Sequence, residues 1–139
     1  MRVMDKKLLD IVMRNENRET KVLPEKSLAV DYGRAKCGLA WSPDGATDLP
    51  IGVISAKDIK AQIQQIITEK DITHIYYGLP KNGDGSEGDL CAEIRQLAGA
   101  VGRKHDFVNE WGSTSRTIRD DDSLSACRIL GYARRKFGV

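Results

Sequence analysis

Three acidic positions, far apart in sequence, sit where secondary-structure elements should begin or end. Asp31 closes the apolar run Leu28-Ala29-Val30 just before a glycine turn; Glu110 closes the run HDFVN; Asp120, Asp121 and Asp122 precede a long amphipathic stretch. A carboxylate at the end of a buried strand costs desolvation energy unless hydrogen bonds, a cation or a metal satisfies it. Carboxylates that converge without Cys or His suit a hard, oxygen-preferring cation such as Mg²⁺ or Mn²⁺. Each acid also has an ordinary role. Asp31 can accept amides of the following turn, Glu110 can be a solvated strand end, and the triplet at 120–122 complements a helix N-terminus.

Other polar groups could serve the same site. The loop KNGDGSEG, residues 81–88, carries glycines that let backbone amides approach a phosphate, but it lacks the GKS or GKT ending of a Walker A loop. Ser113, Thr114 and Ser115 can bond phosphate oxygens or cap the backbone that follows. Arg34, Lys36, Lys81 and the run Arg134-Arg135-Lys136 are candidate phosphate contacts, the last three equally a solvated helix face. His74 and His105 lack a nearby Ser or Cys partner in sequence and read as structural.

Elements must bring these residues together. LAVD and CGLAW read as an antiparallel hairpin joined by YGRAK, and IGVIS as a third strand. SAKD predicts a helix start capped by Ser55, carried on by the stripe Ile59, Ile63, Ile66, Ile67. THIYYGL is a fourth strand closed by Gly78-Leu79-Pro80. Leu90, Ile94, Leu97 and Val101 mark a second helix, HDFVNE a fifth strand, and residues 122–137 a last helix with Leu124, Cys127 and Leu130 inward. The order βββαβαβα predicts an α/β fold, a five-stranded mixed sheet flanked by helices. If strands one, four and five are neighbours, the acids meet at their carboxyl ends, where α/β sheets hold ligands. Residues 1–26 read as an extension, an amphipathic helix through Met4, Leu8, Ile11 and Val12 and then a polar linker; residues 27–139 form the domain.

Composition narrows the classes. The 139 residues carry 22 basic and 20 acidic side chains, a net charge of +2, which excludes a polybasic architectural protein. Cys37, Cys91 and Cys127 are too scattered for a zinc knuckle or a disulfide framework and read as reduced thiols. No apolar run is long enough to span a membrane, and the N-terminus fits no secretory or organellar signal, so a cytoplasmic location without membrane attachment is expected.

Four motifs in the same order resemble the YqgF/RuvX family of RNase H-like nucleases. They are VDYGRAKCGLA, YGLPKNGDGSEG, NEWGSTS and DSLSACRIL, and the resemblance covers about residues 27–137. It implies an RNase H-like fold with Asp31, Glu110 and Asp122 as catalytic, metal-binding acids for Mg²⁺ or Mn²⁺. It implies endonucleolytic hydrolysis of structured RNA or branched DNA, through two divalent ions in an in-line displacement. The family is linked to 5′-end processing of pre-16S rRNA in ribosome biogenesis, and alternatively to Holliday junction resolution in recombination and repair. Arg34, Lys36, Lys81, Asn82, Ser113, Thr114 and Arg116 fall at positions suited to nucleic-acid contacts. Trp111 stands where relatives carry arginine, and only twelve positions separate Glu110 from Asp122, a shorter segment than relatives often have. Those departures leave a catalytically inactive nucleic-acid-binding module as the alternative of another class. A resolvase would act as a homodimer, whereas end trimming needs one site and so admits a monomer.

Overall fold

The computed structural model describes residues 21–110 and 122–139, without the side chains of 122 and 123. Strand β1 (Ser27–Asp31), β2 (Lys36–Ser42) and β3 (Leu49–Ser55) form an antiparallel meander. Helix α1 (Ile59–Lys70), strand β4 (His74–Leu79), helix α2 (Asp89–Val101), strand β5 (His105–Asn109) and helix α3 (Asp122–Phe137) follow. The sheet order is β3-β2-β1-β4-β5, with β1, β4 and β5 parallel to one another. The acids' strands are therefore neighbours.

Alternation along the strands divides the core into two layers. Leu28, Val30, Ile75, Tyr77 and Leu79 face α1 and α2, where they meet Ile59, Ile63, Ile94 and Leu97. Ala29, Ala40, Tyr76 and Val108 face α3, where they meet Ala126, Ile129, Leu130 and Ala133. Small residues on the second face let α3 lie close to the sheet.

Two local expectations are corrected. The residues after Ser55 form a 3-10 turn, Ala56–Asp58, before α1 begins, and the Ser55 side chain makes no capping bond. Leu124 points outward at 49 % exposure, because the face of α3 that meets the sheet runs through Ala126, Ile129, Leu130 and Ala133. The described end of the expected linker is held against the domain. Leu23 is buried among the α3-face residues, and Val22 and Val139 exchange two backbone hydrogen bonds of 3.1 Å. Residues 1–20, which hold the expected amphipathic helix, lie outside the described set. Cys37 and Cys91 are buried free thiols and Cys127 is half-buried. Among the described residues no helix is long and apolar enough to cross a membrane.

Candidate active site

Parity places Asp31 on the α3 face, two residues beyond Ala29, and Glu110 on the same face, two beyond Val108. Both are half-buried. Gly38 lies directly across from Asp31 on β2, and the pairing of Val30 with Tyr77 carries Asp31 to the level of Gly78 on β4. Asp31 thus has a glycine on each side, and neither crowds it with a side chain.

Gly78 is more than an absence of bulk. A methyl group built on its Cα would overlap the Glu110 carboxylate and would come within 2.7 Å of the Ile129 Cδ1. Glu110, anchored by its N–H to the Leu79 carbonyl at 2.9 Å, therefore folds its side chain back over β4 toward β1. That brings its carboxylate to about one strand spacing, roughly 4.8 Å, from the strand of Asp31. The glycine is the seat that lets two acids from distant segments face the same space.

α3 completes the wall. Its Ile129 touches the Gly78 position while Phe137 lies near Tyr76, with ring centres 5.9 Å apart, so the helix runs antiparallel to β4. Its first residue, Asp122, begins two turns before Ile129, about 10 Å of rise, and the helix N-terminus stands at the carboxyl ends of the parallel strands. The positive end of the helix dipole there favours anions. The side chain of Asp122 lies outside the described set, as do Trp111, Ser113, Thr114, Arg116, Asp120 and Asp121.

Two oxygen-donor carboxylates over a glycine floor fit a hard divalent cation and would not suit a soft one. Among the described residues no group of three metal-ligating side chains is assembled; the third carboxylate of the expected set belongs to Asp122.

Two of the expected phosphate contacts, Arg34 and Lys81, are held by acids. Arg34 Nε donates to Glu93 Oε2 at 2.8 Å and the Tyr32 hydroxyl donates to Glu93 Oε1 at 3.1 Å, so α2 braces the turn after Asp31. Burial, reinforced by Glu93, raises the Tyr32 hydroxyl pKa. Arg34 is still 61 % exposed. Lys81 lies 3.7 Å from Glu87, which Arg95 grips with two bonds of 2.8 and 2.7 Å. Those bonds hold the Glu87 carboxyl below its ordinary pKa. Asn82 closes the loop on Ser86 through backbone and side chain, both at 2.9 Å. Lys36 is exposed at the start of β2. His74 bonds Asp106 at 2.9 Å and stacks on Tyr76, and His105 Nδ1 donates to the Arg103 carbonyl at 2.7 Å. Both histidines are fold residues. Sequence reasoning missed Glu93, whose partners are about sixty positions away, and the Gly78 seat, whose only signal was a glycine at the strand's end.

A family model described as RuvX, Holliday junction resolvase, matches residues 25–120. A Lachnospira eligens protein named "Putative pre-16S rRNA nuclease" is 32% identical over 116 residues, 78% of this chain and 83% of its own. A Ruegeria protein of the same name is 32% identical over 109 residues, 73% of this chain and 69% of its own. Among solved structures, T. thermophilus RuvC in complex with a Holliday junction substrate superposes with a TM-score of 0.53 at 9% identity, covering 81% of this chain and 99% of that one. That likeness shows a shared RNase H-like fold.

Proposed function

The chain belongs to the RuvX family, and from that membership we propose that it is a metal-dependent endonuclease acting on structured nucleic acid, with the 5′ end of pre-16S rRNA as its target. The observation that carries this reading is the Glu110 carboxylate seated over Gly78 on the face and at the strand end that Asp31 occupies. The names of the two relatives support the RNA target.

Asp31, Glu110 and Asp122 would hold Mg²⁺ or Mn²⁺, which supplies Lewis acidity to polarise the phosphodiester and to make water a nucleophile near neutral pH. The protein's part is positional. Asp31 is fixed by its pairing with Gly38 on β2 and by the Val30–Tyr77 pairing just before it, with Gly38 and Gly78 keeping its flanks clear. Glu110 is fixed at its backbone by the bond to Leu79, and its carboxylate takes the volume that the absence of a side chain on Gly78 leaves open. The α3 N-terminus adds a favourable field for the phosphate. Arg34, steadied by Glu93, and Lys36 stand beyond the turn after Asp31 as phosphate contacts.

The deciding experiment compares wild type with Asp31→Asn on a 5′-extended 16S rRNA precursor and on a four-way DNA junction, each with Mg²⁺ or Mn²⁺. Wild-type cleavage of the RNA, lost in the variant, is expected. Cleavage of the junction alone would favour resolvase activity, which the family description names. Binding without cleavage would favour the inactive module, and equal cleavage by Asp31→Asn would remove the carboxylate from the mechanism.

A further inference from the structure

α3 sits off-centre. It packs mainly on β2, β1 and β3 and only marginally on β5, so its other flank leaves an open cleft of about 530 Å³ along the edge strand. Among the described residues Val108, Asn109, Tyr132, Arg135 and Lys136 line it, none of them an acid. Two neighbouring arginines have opposite fates. Arg134 is clamped by Asp48 at 2.7 Å and by the Gly45 carbonyl, whereas Arg135 and Lys136 are exposed and, among the described residues, have no acidic partner. The Arg135 guanidinium lies 5.1 Å from the centre of the Tyr132 ring, a stacking that orients it while leaving its N–H groups able to donate to a phosphate.

The cleft also adjoins the carboxylates. Asn109 immediately precedes Glu110, and because the Glu110 N–H bonds β4, ladder alternation turns the Asn109 N–H away from the sheet. Tyr132 lies one helical turn beyond Ile129, which touches the Gly78 position. We propose that this cleft is a binding subsite for the sugar–phosphate chain of a single nucleic-acid strand running away from the carboxylate site, with Arg135 and Lys136 on phosphates and Tyr132 holding Arg135. Its volume is that of a small-ligand cleft, the scale of a few nucleotides of one sugar–phosphate chain. This inference rests on the nuclease reading for the direction of the strand, though its test does not depend on cleavage.

Fluorescence anisotropy with labelled single-stranded 12-mers, one RNA and one DNA of the same sequence, in EDTA, measures it. Arg135→Ala/Lys136→Ala should lose about tenfold in affinity, and the slope of log K against log salt should flatten by about 1.4, two phosphates' worth. Tyr132→Ala should lose a few-fold, Lys60→Ala on the opposite face nothing, and melting temperatures should confirm that all variants fold. A double variant with wild-type affinity and slope for both oligonucleotides overturns the subsite. If wild type cleaves no substrate but the double variant still loses binding, the subsite stands and the nuclease reading falls. If wild type cleaves with metal and the double variant binds normally, the reverse holds.

Discussion

The Glu110 carboxylate lies over the Cα of Gly78, in the volume that any side chain at position 78 would need. Gly78→Ala should therefore act on Glu110 and on Ile129 together. Overpacking there should cost about 1–3 kcal/mol of stability, read by urea unfolding. The displaced carboxylate should lower cleavage by about a hundredfold, in keeping with the cost of misplacing a catalytic group. Near-wild-type cleavage in a destabilised variant would show that Glu110 need not occupy this seat.

Divalent metal should stabilise the folded chain through the same acids. A cation that binds only the native state adds about 2.7 kcal/mol at a hundredfold excess over its Kd. The melting midpoint of wild type should rise with Mn²⁺ concentration, while those of Asp31→Asn and Glu110→Gln should stay nearly flat. A parallel rise in all three would place the bound ion elsewhere.

Arg134 joins α3 to the turn before β3, with side chains only 16 % and 25 % exposed in its pair with Asp48. Arg134→Ala removes the cation that pairs with Asp48 and leaves the Gly45 carbonyl with the Leu23 N–H alone, and should cost about 2–3 kcal/mol, somewhat less than a fully buried pair. The loss should appear in unfolding midpoints and leave oligonucleotide affinity near wild type. A matching fall in affinity would mean that Arg134 contacts substrate instead.

The acid sensitivity of the fold should begin at His74. Burial lowers its pKa below the ordinary 6.5 and outweighs the opposing pull of Asp106. Above pH 6.5 the ring is neutral folded and unfolded, and its contribution is fully present. As pH falls through 6.5 toward the lower native value, the unfolded chain takes up the proton first, so stability declines. The carboxylates Asp44, Asp84 and Glu87, whose pKa values are lowered by hydrogen bonds, contribute their loss only below about pH 4. His74→Gln should flatten the decline that sets in below pH 6.5 without altering the carboxylate one, and an unchanged profile would assign the upper transition to another group.

Much of this arrangement was legible in the chain. The short apolar run Leu28-Ala29-Val30 points to a strand covered on both faces, and the period-3.6 stripe of isoleucines to a helix buried on one. The element order admits strands one, four and five as neighbours without requiring it, and the observed sheet order places them so. What stayed hidden depended on offsets and distant pairings. Leu124 falls on the helical period yet faces solvent, because the contact line of α3 is rotated toward its small residues. Glu93 looks like an ordinary helix-surface acid until the fold sets it beside Tyr32 and Arg34. Gly78 reads as the close of a strand, and only the tertiary structure gives it a neighbour.

The two backbone bonds between Val22 and Val139 bring the described ends of the domain side by side, at the pole opposite the carboxylates. Topologically the domain is close to a ring. A short linker from residue 139 to residue 22 would permit a circular permutant opened in the exposed 82–86 loop, with every strand pairing retained. The same geometry means that whatever is fused at either of these ends is delivered to the far side of the domain from Asp31 and Glu110.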